Sequence, residues 1–276
     1  MLEILKAAFY GIVQGLTEFL PVSSSGHLAV LKNWFGLEFD DAVLFTLILH
    51  LGSLAAVIII YRKDISDLIA NFVIIIIKIF TKRFKYKKLN QDERFAVLIF
   101  IATLPLVIGA LISSRIEFLT ERTRIVGLFL IINSVILLFS DGIPKGDVSE
   151  KTVSPKNALF VGLCQLIAVV PGISRSGMTI TGGLLTGFDR RFAVKFSFIM
   201  SVPAILGASV FKIIGFAASD NRITGVSFAM CLTGLIFAFI TGVAAIFLVN
   251  VIARKKNFAY FAVYCFVFGL LALIFG

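Results

Sequence analysis

Charge is scarce in this chain: only 15% of its 276 residues are Asp, Glu, Lys or Arg, whereas 59% are hydrophobic. A mean hydropathy of +1.01 excludes a water-soluble domain, because a chain of this size cannot hide so much apolar side chain from water. The solvent has to be lipid. Cysteine is nearly absent as well. Cys164, Cys231 and Cys265 each lie inside an apolar run, with neither the pairing nor the spacing of a disulfide framework or a zinc site, and are predicted to be packing residues. Histidine occurs only as His27 and His50, which limits any imidazole chemistry to two candidates. A secretory cleavage pattern is also lacking. The first apolar stretch, 4–20, contains Gln14 and Glu18 and runs straight into a polar motif, so it is expected to be part of the mature protein.

What the chain does have is a series of apolar runs close to the roughly 20 residues that a membrane-spanning helix needs: 41–61, 95–112, 125–139, 193–211, 226–251 and 258–275. The net charge of +10 could suggest nucleic acid, but the basic residues sit in short loops between apolar segments, the pattern of positive-inside bias. Nucleic acid is therefore not an expected partner; the bilayer is, with a homodimer left open. Nine basic residues lie from Arg62 to Arg94, and a second cluster is Arg254, Lys255 and Lys256. Both are predicted to be cytoplasmic. Segment 65–80 is short for a span and carries Asp67 and Lys78, which points to a helix lying on the cytoplasmic surface.

Laid on itself with a shift of 151 residues, the chain matches without gaps from Gly11–Ile48 to Gly162–Ile199. The identities include Gln14/Gln165, Ser23/Ser174, Ser25/Ser176 and Gly26/Gly177, polar and small residues that shared membrane composition does not explain. This is an internal repeat. Each copy opens with two short apolar pieces interrupted by a Pro/Gly/Ser stretch, within 4–35 and within 157–188. Such a break at membrane depth is tolerable only where it is buried in protein or faces a watery cavity, and a re-entrant hairpin satisfies this. Three spans follow each hairpin, and an odd number of crossings inverts the second copy. The predicted fold is thus a single all-α polytopic membrane domain over 1–276, an inverted-topology repeat of about 1–140 and about 155–276, each half a re-entrant helix hairpin plus three transmembrane helices. Repeats of this kind place their binding site near the midplane, where 14–27 would lie beside 171–179.

The first tip runs from Gln14 through Glu18, Pro21, Ser23, Ser24, Ser25 and Gly26 to His27. Gln14 and Glu18 are four apart, share a helix face and could hold a divalent cation through oxygen ligands; interhelical hydrogen bonding is the plainer role for Gln14. A carboxylate inside a membrane is costly and usually functional. Ser23, Ser24, Ser25 and Gly26 supply hydroxyls and amides before a helix, suited either to phosphate oxygens or to ordinary capping. His27 can act as nucleophile or proton carrier. His50, in mid-span, is expected to be packed and hydrogen-bonded. The second tip contains Gly172, Ser174, Arg175, Ser176, Gly177 and Thr179. Arg175 stands where the first copy has Ser24, and its planar fork suits a phosphate as well as an ion pair with Glu18. Asp189, Arg190 and Arg191 are expected to form a surface cluster.

Gln14-x-x-x-Glu18, the run from Glu18 to His27, and Pro171-Gly-Ile-Ser-Arg-Ser-Gly-Met-Thr179 resemble the two diagnostic motifs of the bacterial undecaprenyl-diphosphate phosphatases, the BacA or UppP family, and the likeness covers essentially the whole chain. The resemblance implies hydrolysis of undecaprenyl diphosphate to the monophosphate in the bacterial plasma membrane, a divalent cation (Mg²⁺ or Ca²⁺), and a link to bacitracin resistance. It also implies an active site opening to the extracytoplasmic side. Glu18, Ser24, His27 and Arg175 match the residues held to be essential in the family; Gln14 occupies a position where Glu or Gln occurs. The nucleophile stays open between Ser24, His27 and water. The phosphatidic-acid type of membrane phosphatase fits less well, since Thr181 stands where that pattern has a histidine six residues after its arginine. A transporter of an anionic lipid is the rival of a different class, because fold alone does not decide function.

Overall fold

The computed structural model describes residues 1–36, 42–217, 227–255 and 257–276. Lys256, the first residues of the runs at 41 and 226, and positions 37–41 of the first repeat copy lie outside the described residues. Among those described, twelve α-helices follow in order: α1 (Leu2–Phe19), α2 (Ser24–Phe35), α3 (Ala42–Ile60), α4 (Arg62–Phe80), α5 (Gln91–Thr103), α6 (Leu106–Ile116), α7 (Thr123–Gly142), α8 (Pro155–Ile167), α9 (Arg175–Leu185), α10 (Arg190–Ala217), α11 (Phe228–Arg254) and α12 (Ala259–Phe275). The chain is an all-helical polytopic membrane protein. Four helical stretches are long and apolar enough to cross a bilayer: Gln91–Ser113, Thr123–Gly142, Arg190–Gly215 and Phe228–Arg254. The first of these joins α5 and α6 across Pro105, which cannot donate the backbone hydrogen bond of a continuous helix. α12 is apolar but shorter, and α3 and α4 meet at a 93° bend. That right angle turns α4 across the direction of α3.

Local sequence explains the ends of the helices. Asn90 caps α5 and Ser154 caps α8, each in a reciprocal capping box, with Pro155 in the first turn of α8. Between helices, small residues let backbones meet, which is how packing is won where the surrounding solvent is itself apolar. A methyl group added to Gly15 of α1 would fall 2.3 Å from the Ala238 carbonyl oxygen of α11, and one on Gly162 of α8 would fall 2.3 Å from the Ala102 carbonyl oxygen of α5. Hence α1 packs on α11 and α8 packs on α5. Each leading hairpin helix lies against a span from the other half of the chain. The outward faces remain apolar, with Leu111, Ile240, Phe247, Val263 and Ile274 all exposed, as a lipid-solvated surface requires.

Asp189, Arg190 and Arg191 do not form a surface cluster. Arg190 is only 7% exposed; its guanidinium donates to the Ser140 carbonyl at 2.9 Å and pairs with Asp141 at 3.6 Å, over the Phe258 ring. Adjacent residues in the first turn of a helix point about 100° apart, so Arg190 turns into the bundle while Arg191 stays exposed. Asp189 accepts from the Arg191 amide at 2.9 Å.

Candidate active site

Two breaks in the helical chain, 20–23 between α1 and α2 and 168–174 between α8 and α9, meet inside the bundle. Their backbones touch: a Cβ on Gly26 would lie 2.9 Å from the Gly172 Cα. Gly172 has φ +97°, a conformation that L side chains rarely adopt. Ser176 Oγ reaches across to donate to the Leu20 carbonyl at 3.1 Å. Asn133 of α7 binds both tips at once, donating to the Pro21 carbonyl at 2.9 Å and accepting the Ser174 amide at 3.0 Å. Sequence reasoning passed over Asn133. A carboxamide within the apolar run 125–139 was the available signal.

Both tips are built alike. Ser23 caps α2 by accepting the Gly26 amide at 3.3 Å, and Ser174 caps α9 by accepting the Gly177 amide at 3.1 Å. In each, the capping hydroxyl also meets the serine two positions on, Ser25 at 3.4 Å and Ser176 at 3.1 Å. The equivalent serines of the repeat thus do equivalent work, and that work is capping.

Glu18 is the hub. It is 7% exposed, and its Oε2 accepts the Ser24 hydroxyl at 2.7 Å and the Gln14 amide at 3.1 Å. Its Oε1 pairs with the Arg175 guanidinium from the second tip. The carboxylate buried by α1 is thereby matched by a cation from α9, without which its burial would be prohibitive. Gln14 is fully buried, and its Oε1 has no hydrogen-bond partner.

Beside this hub lies a cavity of about 310 Å³. Glu18, Ser23, Ser24, Ser25, Ser174 and Arg175 reach it from the two tips. Lining it with them are His50 of α3, which the sequence offered only as a packed residue, and Ser209 and Lys212 of α10, which it did not offer. His50 is hydrogen-bonded, as expected, its Nδ1 donating to the Thr46 carbonyl at 2.8 Å. It also faces the cavity, with Nε2 4.0 Å from Glu18, because α3 crosses next to the first tip.

Other predicted residues lie behind the cavity wall. His27 is 2% exposed; its ring stacks on Phe268 at 4.3 Å and on Tyr264 at 5.4 Å. Its Nδ1 is 2.8 Å from the Ser23 carbonyl and therefore carries the proton, so Nε2 accepts from the Tyr264 hydroxyl at 2.9 Å. Both nitrogens are thus engaged away from the cavity. Ser176, Gly177 and Thr179 are buried, and the Thr179 hydroxyl bonds Ser197 at 2.6 Å and the Arg175 carbonyl at 2.9 Å. Gly26 and Gly172 bring the tips together. For a divalent cation the donors at hand are Glu18 and the unpartnered Gln14 Oε1; among the described residues no group of three or more His, Cys, Asp or Glu could hold a metal. Glu18 lines the cavity and the buried Gln14 does not, so a hard cation there would take most of its coordination from phosphate oxygens and water.

A polytopic helical bundle with a buried, charge-paired polar centre at the meeting of two broken helices, opening on a polar-lined cavity, defines the class as an integral membrane protein with an enclosed polar centre. This chain belongs to the BacA family: the family model described as "Bacitracin resistance protein BacA" matches residues 7–271. Relatives named "Undecaprenyl-diphosphatase" include one from Methanosphaera stadtmanae, 38% identical, covering 99% of this chain and 98% of the relative. Others are from Alkaliphilus metalliredigens, 38% identical with 98% of each chain covered, and Methanobrevibacter smithii, 39% identical with 99% and 98% covered.

Proposed function

We propose that the protein is an undecaprenyl-diphosphate phosphatase, releasing phosphate from undecaprenyl diphosphate and returning the monophosphate for reuse as the lipid carrier of cell-wall synthesis. The observation that carries this reading is the contact between the Ser24 hydroxyl and Glu18 at 2.7 Å, with Arg175 on the same carboxylate and the cavity beside them. A hydroxyl nucleophile next to a base, itself oriented by a third group, is the arrangement that acyl and phosphoryl transfer require. Family membership and the relatives' names support the substrate.

The Ser24 oxygen attacks the terminal phosphorus. Its proton passes to Glu18, and the anhydride P–O bond breaks. The lipid monophosphate leaves, taking that proton. Water then attacks the phosphoserine, its proton goes to Glu18, the Ser24 O–P bond breaks, and Ser24 recovers a proton as phosphate departs. Arg175 stabilises charge on the transferred group; phosphate oxygens offer it a second anionic partner and free Glu18 to accept the Ser24 proton. A bound Mg²⁺ or Ca²⁺, held by Glu18 and Gln14, would neutralise diphosphate charge. Ser23, Ser25, Ser174 and the cap amides shape the phosphate end of the cavity. His27 orients the Ser23 carbonyl and so sets the Ser24 backbone.

The same reading extends to topology. The two halves, about 1–140 and about 155–276, form an inverted repeat with one hairpin entering from each side of the plasma membrane. The matched caps at Ser23 and Ser174 and the crossed packing of α1 on α11 and α8 on α5 support it. The basic loop 62–94 is then cytoplasmic and the cavity opens to the extracytoplasmic side.

The test is phosphate release by detergent-purified protein given a polyprenyl diphosphate and Mg²⁺. Wild type releases phosphate, and Glu18→Ala and Arg175→Ala each lose at least about 100-fold. A transporter releases none. Rapid quench distinguishes the nucleophiles: an acid-stable phosphoserine supports Ser24, an acid-labile phosphohistidine supports His27, and the absence of any adduct favours water.

A further inference from the structure

The tips supply one guanidinium to the cavity, and Glu18 already engages it. A prenyl diphosphate brings two phosphoryl groups, and only the outer one is transferred. The inner group, which stays on the lipid, needs its own charge partner. α10 offers one in the cavity lining. Ser209 and Lys212 are three residues apart, hence on one helix face, and both line the cavity. Ser209 is 6% exposed and Lys212 is exposed at the cavity's edge, while Val210, Phe211, Ile213 and Ile214 around them are exposed apolar residues that meet lipid. Lys212, Arg175 and His50 all line this one cavity, so two cations share it.

A lysine near the end of a span could simply extend to the membrane interface. Under the topology proposed above, however, Lys212 lies toward the extracytoplasmic side, where positive-inside bias gives no reason for a lysine. We propose that Lys212, assisted by Ser209, is a specificity-determining residue that binds the lipid-linked phosphoryl group and selects a diphosphate. This rests on the phosphatase reading and adds a subsite to it. Arg175 grips the group that is transferred; Lys212 grips the group that remains.

The experiment measures phosphate release from farnesyl diphosphate by the purified full chain, with farnesyl monophosphate as product inhibitor. Lys212→Ala raises KM by about 10-fold or more, as expected for loss of a charge-assisted contact, and leaves kcat within about 2-fold if binding in the ground and transition states falls alike. Product inhibition weakens by the same factor. Lys212→Arg restores both, and Ser209→Ala gives a smaller change in the same direction. An unchanged KM, a fall in kcat alone, product inhibition that is absent in wild type or unaffected in Lys212→Ala, or failure of Lys212→Arg to rescue would each overturn the assignment. Failure of the phosphatase reading looks different: wild type itself would release no phosphate.

Discussion

Glu18 carries four relationships in a small space, to Gln14, Ser24, Arg175 and His50, and single substitutions separate them. Gln14→Glu places a second carboxylate four residues from the first. If the pair receives a cation, the concentration of Mg²⁺ giving half-maximal phosphate release should fall on the order of tenfold, because ligand charge tunes affinity for hard cations. An unchanged metal titration would remove Gln14 from any metal site. Arg175→Lys keeps the charge but loses the planar fork, and activity should drop at least about tenfold; activity near wild type would mean that the fork grips no phosphate. Glu18, Ser24 and Arg175 were legible in the sequence because polar residues stand out against an apolar background. His50 was legible as a hydrogen-bonded residue, but its view of the cavity was not. That depends on where α3 passes, and no local pattern encodes it.

At the scale of elements, the site depends on two helix breaks being held in contact. Asn133→Ala removes both cross-links from α7 and leaves the Pro21 carbonyl and Ser174 amide without partners, which should cost about 2 kcal/mol or more. Thermal unfolding in detergent should show the loss, along with reduced phosphate release; a variant as stable and active as wild type would mean that the tips hold themselves. Gly26→Ala drives a methyl group toward the Gly172 Cα at 2.9 Å, backbone against which little can yield. It should cut activity strongly while costing about 1–3 kcal/mol, read by the same two assays. The helix breaks were visible in advance from their Pro/Gly/Ser stretches, and capping was one of two readings of Ser23 to Gly26. The roles of Ser176 and Thr179 were not visible, since a hydroxyl beside an arginine reads the same whether it faces a ligand or a neighbouring helix.

The arrangement of the whole molecule follows from lipid as solvent and from where charge is allowed. A cysteine placed at Lys85, in the basic loop, should resist an impermeant thiol reagent in intact cells and react after permeabilisation. One placed at Glu121, exposed between α6 and α7, should react in intact cells. The native Cys164 and Cys265 are buried and should contribute no background, whereas the half-buried Cys231 is best replaced by serine first. The opposite labelling pattern would reverse the proposed orientation.

Composition determined the solvent, apolar run length marked the candidate spans, and the repeated polar motifs marked the two helix breaks that meet. Those are properties of short stretches, because hydropathy and capping act within one or two helical turns. Only the packed bundle decided which side of each motif meets the cavity: Ser24 and Arg175 toward it, His27 against two aromatic rings, Arg190 into the core, His50 and Lys212 into the cavity lining. Such choices are made by helices distant in sequence, and the physical reason is that a side chain's direction is fixed by rotation and crossing of whole helices rather than by the residues beside it.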